Sequence, residues 1–199
     1  MYRNRCPSWV FGLCCLWLIT ASAGAAEWLP ISEKQVEVTH QEGHYLAHLV
    51  FEVPVSRALA IDVLTDFDHL AEFLPGLRLS RLRSREGRTF LVEQAGEVRF
   101  GPFHFDFESL RQIEMTADGR LLSTTLKSSS GPSSSEMRVS PTASGTRLDY
   151  WLDVQPRLWI PSSYGMSMMR HELATQFTAM AREMLRRQHL ADERRSSEK

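Results

Sequence analysis

Five turn signals divide the chain between Leu77 and Val154 into stretches of strand length, and this spacing constrains the fold more than any other feature. The turn signals are the pairs Glu86-Gly87, Gly101-Pro102, Asp118-Gly119, Gly131-Pro132 and Ser144-Gly145. Glycine tolerates positive φ and proline presets φ for a turn, so each pair can reverse the chain. Six consecutive strands joined by short turns predict an antiparallel meander.

Alternation of apolar and polar residues supports this prediction. Three phenylalanines alternate with three polar residues between positions 103 and 108: Phe103, Phe105 and Phe107 with His104, Asp106 and Glu108. Period two is typical of a strand with one face in a core, which favours a solvated polar side. If the strand were turned the other way, His104 and Asp106 would form a buried acid–base pair.

A further strand precedes the meander. It covers Tyr45 to Val53, or begins at Val36 and passes through a bend at Gly43, and Pro54 ends it because proline cannot donate to the ladder. The sequence therefore predicts seven strands.

Helices are predicted after the first strand and at the C-terminal end. Ser56 and Asp68 are placed to cap two short helices, the second of which ends at Pro75-Gly76. The last helix, from Met166 to about Gln188, carries one apolar face with helical spacing: Met166, Met169, Leu173, Phe177, Met180 and Met184. A curved sheet needs a cover for its concave face, so we expect an α+β domain in which the sheet packs around this helix.

The first 25 residues have the pattern of a secretory signal. Arg3 and Arg5 precede an apolar run, which is shorter than the roughly 20 residues of a membrane span and ends in small residues. Cleavage is expected after Ala25 or Ala26. The protein would then be exported, most simply to a bacterial periplasm, without a stable membrane span. Residues 26–190 are expected to form one ligand-binding domain and residues 191–199 a charged, flexible tail.

Composition excludes several kinds of site. All three cysteines lie in the predicted signal, so the processed chain has no thiol chemistry. Without the signal, 21 basic residues face 24 acidic ones, which argues against binding to nucleic acid. His40, His44 and His48 are four residues apart on a predicted strand, a spacing of roughly 13 Å that one metal ion cannot bridge. No cofactor motif is present, and the oligomeric state stays open.

Two segments resemble a known family. Residues 63–75, VLTDFDHLAEFLP, are similar to the passage that follows the first strand in the START-like (SRPBCC) superfamily, in its polyketide cyclase/dehydrase and coenzyme Q-binding, lipid-transport group. Trp159-Ile160-Pro161 is similar to the family's entry into the last helix. The resemblance implies a helix-grip fold with an apolar cavity for lipids, polyketides, quinones or steroids. The quinone-binding branch has Trp-Cys where this chain has Gly76-Leu77, so quinone is one candidate among several.

The cavity residues expected from this resemblance are mostly apolar. They are Phe73, Leu74, Phe103, Phe105, Phe107, Met169, Leu173, Phe177 and Met180, with Tyr150, Glu93 and Arg81 as polar groups that orient the ligand. The methionine-rich helix face has two interpretations, ordinary core packing or an adaptable wall that contacts ligand.

Two functions follow. The favoured one is a non-enzymatic, exported carrier or sensor of a hydrophobic small molecule or lipid. The alternative is a cyclase, aromatase or dehydratase acting on a polyketide-like substrate, which needs an acid or base in the cavity. A cavity lined only by methionine, phenylalanine and leucine would exclude the enzyme. At least two polar side chains pointing inward would keep it open.

Overall fold

The computed structural model describes residues 28–101 and 103–198. The predicted signal and both cleavage positions lie outside these residues. Eight antiparallel strands form one sheet in this part of the chain: β1 (Val36–Gln41), β2 (His44–Val53), β3 (Leu77–Glu86), β4 (Thr89–Phe100), β5 (Phe103–Met115), β6 (Leu121–Ser128), β7 (Ser133–Thr142) and β8 (Gly145–Val154). Their order is β1-β2-β8-β7-β6-β5-β4-β3.

Strands β3 to β8 confirm the predicted meander, because each pairs with the next along the chain. The prediction of a single strand before it is wrong. Glu42 and Gly43 both have positive φ, at 50° and 81°, which is the geometry of a tight hairpin turn. The expected bend at Gly43 is therefore a full reversal between β1 and β2, and the sheet has eight strands instead of seven.

Two short helices follow β2 as predicted: α1 (Arg57–Leu64) and α2 (Leu70–Phe73). The Ser56 hydroxyl caps α1 by accepting the N–H of Leu59 at 3.2 Å. Asp68 does not cap α2. Its carboxylate accepts the N–H of Leu82 at 2.8 Å, where the pairing of β3 with β4 shifts register, and thereby fixes the α1–α2 segment to the sheet.

The long C-terminal helix, α3, runs from Ser162 to Ser197 and so exceeds the predicted Met166–Gln188 at both ends. Residues 191–197, expected to be a tail, continue the helix with exposed side chains. The flexibility of residues 191–199 stays a prediction. Within the described residues, no helix is long and apolar enough to cross a membrane.

The core lies between α3 and the concave face of the sheet. Phe177 of α3 contacts Phe51 of β2 and Tyr150 of β8, with ring centroids 5.5 and 4.8 Å apart. Gly165 lies against the ring of Tyr45, where a Cβ would be 2.4 Å from the hydroxyl oxygen. This close approach positions the first turns of α3 on β2, and among the strands α3 mainly contacts β1 and β2.

Candidate functional site

A cavity of about 200 Å³ lies between the inner face of the sheet, the turn after α2, and α3. Apolar side chains on its wall come from the α2–β3 turn and from β5 and β8: Leu74, Leu77, Phe107 and Val154. Polar side chains come from β4 to β7 and from α3: Gln94, Ser109, Arg111, Thr125, Ser128, Ser133 and Gln176. The cavity therefore offers both an apolar surface and a group of convergent polar atoms.

Arg111 points inward because of the register between β4 and β5. Its cross-strand partner is Val92, which is fully buried, and cross-strand partners project from the same face of a sheet. Phe107 and Ser109 precede Arg111 at intervals of two and pair with Gly96 and Gln94, so they share this face. Because side chains alternate between the two faces of a strand, Arg111 lies on the same face of β5 as Phe107.

In the part of the chain that the structure describes, the Arg111 guanidinium is hydrogen-bonded only to neutral groups. Its Nε donates to the Ser123 hydroxyl at 3.0 Å, and one terminal nitrogen donates to the Ser135 hydroxyl at 3.4 Å. No carboxylate pairs with it among the described residues. A half-buried cation without a counter-charge is unfavourable, and its remaining N–H donors suit the oxygens of a bound molecule.

Other polar groups around the cavity are held by hydrogen bonds. The Gln94 amide nitrogen donates to the buried Ser80 hydroxyl at 3.4 Å, and the Thr125 and Ser133 hydroxyls lie 2.7 Å apart. From α3, the Gln176 amide donates to Glu172 at 2.6 Å. These contacts fix the directions in which the polar atoms face.

Two glycines allow the turn after α2 to approach β4. A Cβ on Gly96 would lie 2.2 Å from the carbonyl oxygen of Gly76 and 3.0 Å from the Phe107 ring. The same Gly76 carbonyl accepts the Glu97 N–H at 2.8 Å. Gly76 itself has a φ of 77°, in the region that favours glycine. This contact closes one wall of the cavity.

Glu172 gives a pH-dependent prediction. Burial raises the pKa of its carboxyl, against the smaller opposing effects of Gln176 and His171. An acid with a raised pKa favours folding when protonated, so the stability falls as the pH rises from the ordinary value of about 4.3 through the raised pKa of the folded state. We expect Glu172→Gln to raise the Tm at pH 7 and to lose this gain by about pH 4.

Thermal unfolding between these pH values measures the effect. Glu52→Gln is the matched control, because the Glu52 side chain is exposed on β2, and it should change the Tm little at any pH. A Tm gain in Glu172→Gln that does not vary with pH would contradict the assignment.

The apolar residues expected at the site, and Tyr150, do not all lie in one place. Leu74 and Phe107 line the cavity. Leu173, Phe177 and Met180 are buried in the core, and Phe73, Tyr150 and Met169 pack at its edge. Phe105 is half-buried on β5, and the side chain of Phe103 lies outside the described part of the chain. Contact of these side chains with a ligand stays a prediction.

Glu93 and Arg81 are not in the cavity. They pair with each other in the register of β3 and β4, and their neighbours Ser80 and Val92 are the buried residues, so both side chains point to the outer face. There Glu93 forms an ion pair with Arg83. Gln94 and Arg111 hold the inward positions instead.

The polar side of β5 is solvated, as period two predicts. His104, Asp106 and Glu108 are exposed, and the buried acid–base pair considered for His104 and Asp106 is not formed. His104 and Asp106 lie with Glu97 in a group whose ligand atoms are within 4.8 Å of one another, a spacing that suits a metal ion. Arg78 and Arg99 already pair with these carboxylates.

Of the histidines in the first hairpin, His44 and His48 are on the outer face, whereas His40 pairs with the buried Tyr45 and so shares its face of the sheet. His44 and His48 bond to Asp153 and Asp149 of β8 at 2.7 and 2.8 Å. His48 also stacks on Trp151. They serve as cross-strand partners to β8.

Solved structures share this architecture. One is a START superfamily protein from Mycobacterium smegmatis, with a TM-score of 0.63 and 14% identity, covering 71% of this chain and 97% of that one. The Zhui aromatase/cyclase from a Streptomyces strain has a TM-score of 0.57 and 15% identity, over 72% and 95%. A STAR-related lipid transfer protein from Xanthomonas axonopodis has a TM-score of 0.54 and 12% identity, over 75% and 98%. At these identities the likeness shows the fold alone.

A comparison with curated protein sequences gives no significant match. The family model described as "Polyketide cyclase / dehydrase and lipid transport" matches residues 36–187, which is most of the chain. The match includes all the described strands and residues 162–187 of α3. The START-like fold and the cavity between sheet and helix agree with this match. The chain belongs to the polyketide cyclase/dehydrase and lipid transport family.

Proposed function

We propose that this protein binds a hydrophobic small molecule or lipid that carries a polar, oxygen-rich end, and that it acts as a carrier or sensor. The observation that carries the proposal is Arg111, a cation on the cavity wall whose hydrogen bonds within the described residues go to Ser123 and Ser135 alone. A carboxylate, phosphate or carbonyl oxygen would complete its hydrogen bonding. The apolar part of the ligand would lie against Leu74, Phe107 and the inner face of α3.

The size of the cavity sets a condition on the ligand. About 200 Å³ is smaller than the roughly 300–1,000 Å³ of a typical small-molecule site. A lipid or polyketide therefore requires side chains to move, and flexible thioethers adapt to such changes more easily than branched residues do. Met169 and Met180 on α3 are the side chains that we propose would move. A quinone is one of the ligands that this arrangement allows.

Export is the second part of the proposal. The basic start, the short apolar run and the small-residue exit of residues 1–25 support removal of a signal and release into the periplasm. In that location a carrier would move an apolar molecule through water. Burial of apolar area, worth about 25 cal/mol per Å², provides the driving force.

The enzyme alternative is supported by the polar lining. Arg111, Gln94 and Gln176 reach the cavity, so the lining is not purely apolar, and the guanidinium could polarise a substrate carbonyl. A cyclase or dehydratase also needs a group that accepts a proton. The described lining contains no histidine, aspartate or glutamate, which favours binding without chemistry.

Native mass spectrometry of protein purified from its own periplasm tests the proposal. We expect a bound molecule that is released unchanged when the protein is denatured. Conversion of the molecule over time in the purified complex would instead support the enzyme. If gentle preparations never retain a small molecule and added fatty acid does not bind, the binding function is wrong.

A further inference from the structure

Three of the five large apolar side chains that are exposed in the described part of the chain lie in or beside the segment between β8 and α3. Trp159 is 87% exposed and Leu158 is 64% exposed, and both lie in the segment between β8 and α3. Leu126, the residue of β6 left out of the pairing with β5, is 52% exposed. Core packing and the proposed ligand site use none of these three side chains.

The segment that carries Leu158 and Trp159 is held at both ends. The Arg157 N–H donates to the Ser130 carbonyl at 2.9 Å, and the Tyr45 hydroxyl donates to the Ile160 carbonyl at 3.1 Å. We call residues 157–160 the 157–160 loop. Hydrogen bonds hold both of its ends, so the backbone that carries the two exposed apolar side chains is fixed. The indole N–H of Trp159 has no hydrogen-bond partner among the described residues.

This loop lies beside the cavity. Ser130 and Gly131, which the loop contacts through Arg157, are part of the cavity wall. On the outer side, Arg157, Leu126 and Lys127 line one shallow depression together with Glu108. The cavity wall is thus bordered by three exposed apolar side chains and two cations; of the two carboxylates on the same depression, Glu93 is paired with Arg83 and Glu108 is exposed.

We propose that the 157–160 loop docks the protein onto the surface of a lipid bilayer that contains anionic lipid. An indole with a free N–H suits the headgroup region, where the ring is partly buried and the nitrogen finds a partner. Each cation near an anionic surface adds attraction. Two or three side chains cannot supply the roughly 1,200–2,000 Å² of a stable protein–protein interface, whereas a bilayer accepts an insertion this small.

Such docking brings the cavity wall next to lipid. It goes beyond the proposed binding function, since attachment to a bilayer depends on the loop and not on what the cavity holds. A ligand could then exchange between bilayer and cavity without crossing open water.

Vesicle binding of the protein purified from its own periplasm tests the proposal, with phosphatidylcholine vesicles prepared with and without phosphatidylglycerol. We expect Leu158→Ala combined with Trp159→Ala to lower the bound fraction by about tenfold or more. Arg157→Gln should lower binding several-fold only when phosphatidylglycerol is present. Vesicles should shift the indole emission of the wild type to shorter wavelength, and Trp159→Phe should lose this shift.

Leu29→Ala is the matched control. Leu29 is 76% exposed but lies near the far end of β2, since the neighbouring Trp28 indole donates to the Glu52 carbonyl. Both variants keep the same N-terminal residues, so a difference between them reports on the loop. Equal vesicle binding by the loop variant and the wild type overturns the proposal. So does a loop variant that changes only self-association in light scattering. Ligand retention by native mass spectrometry should be unchanged, which separates this outcome from failure of the binding function.

Discussion

Replacing Arg111 with methionine is expected to lower ligand retention by about ten- to a hundredfold. Hydrogen bonds to a charged group contribute more than neutral ones, and Arg111 is the cation on the described cavity wall. Methionine keeps an unbranched chain of similar length, so the apolar surface of the cavity is largely preserved. The change therefore removes the proposed polar anchor and little else.

The same substitution should leave the free energy of unfolding unchanged or higher. Arg111 is half-buried and, over residues 28–101 and 103–198, hydrogen-bonded only to serine hydroxyls, so its charge is poorly compensated in the folded state. Loss of binding combined with equal or greater stability separates a binding residue from a structural one. Urea denaturation and titration with a fatty acid measure the two quantities.

Arg81→Met is the matched control for this experiment. Arg81 is exposed on the outer face of β3, so its replacement should change neither binding nor stability by much. If Arg111→Met destabilises the protein and retains ligand as well as the wild type does, Arg111 is a structural residue and the proposed anchor is wrong.

Gly96→Ala is expected to have the largest effect on stability, about 3 kcal/mol or more. The new Cβ would lie 2.2 Å from the Gly76 carbonyl oxygen, which is backbone and cannot move like the end of a flexible side chain. The turn after α2 must then separate from β4. We expect a lower midpoint in urea and, in any folded protein that remains, weaker ligand binding because one cavity wall has shifted.

Gly87→Ala tests whether any added methyl group would do the same. A Cβ on Gly87 meets nothing within 4 Å, and the positive φ of 59° costs only about 1–2 kcal/mol. Gly96 has no such φ, so its cost should come from the clash alone. Equal stability losses in the two variants would contradict the close approach of Gly76 and Gly96.

Much of the fold could be predicted because it depends on local signals. Turn pairs and period-two alternation identify β3 to β8, and the apolar stripe identifies α3. The β1–β2 hairpin escapes prediction because a single glycine within a strand pattern, here Gly43, fits a bend or bulge as well as a turn. The contact of Asp68 with Leu82 depends on a shift of strand register, which the sequence does not encode locally.

The inward positions of the polar residues could also be predicted from period-two alternation. If Phe103, Phe105 and Phe107 face inward, continued alternation places Arg111 on the same face of β5. Phe90 and Val92 place Gln94 inward on β4 in the same way, which also excludes Glu93. The size of the cavity could not be predicted, because it depends on how closely α3 and the turn after α2 approach the sheet.

Photocrosslinking with a fatty acid that carries a diazirine in its chain tests most directly whether the cavity holds the ligand. The account predicts labelled peptides that contain Leu74, Phe107 or Gln176, and loss of this labelling in Arg111→Met but not in Arg81→Met. Labelling confined to the outer face, around Trp151 or Leu126, would contradict the proposed binding site.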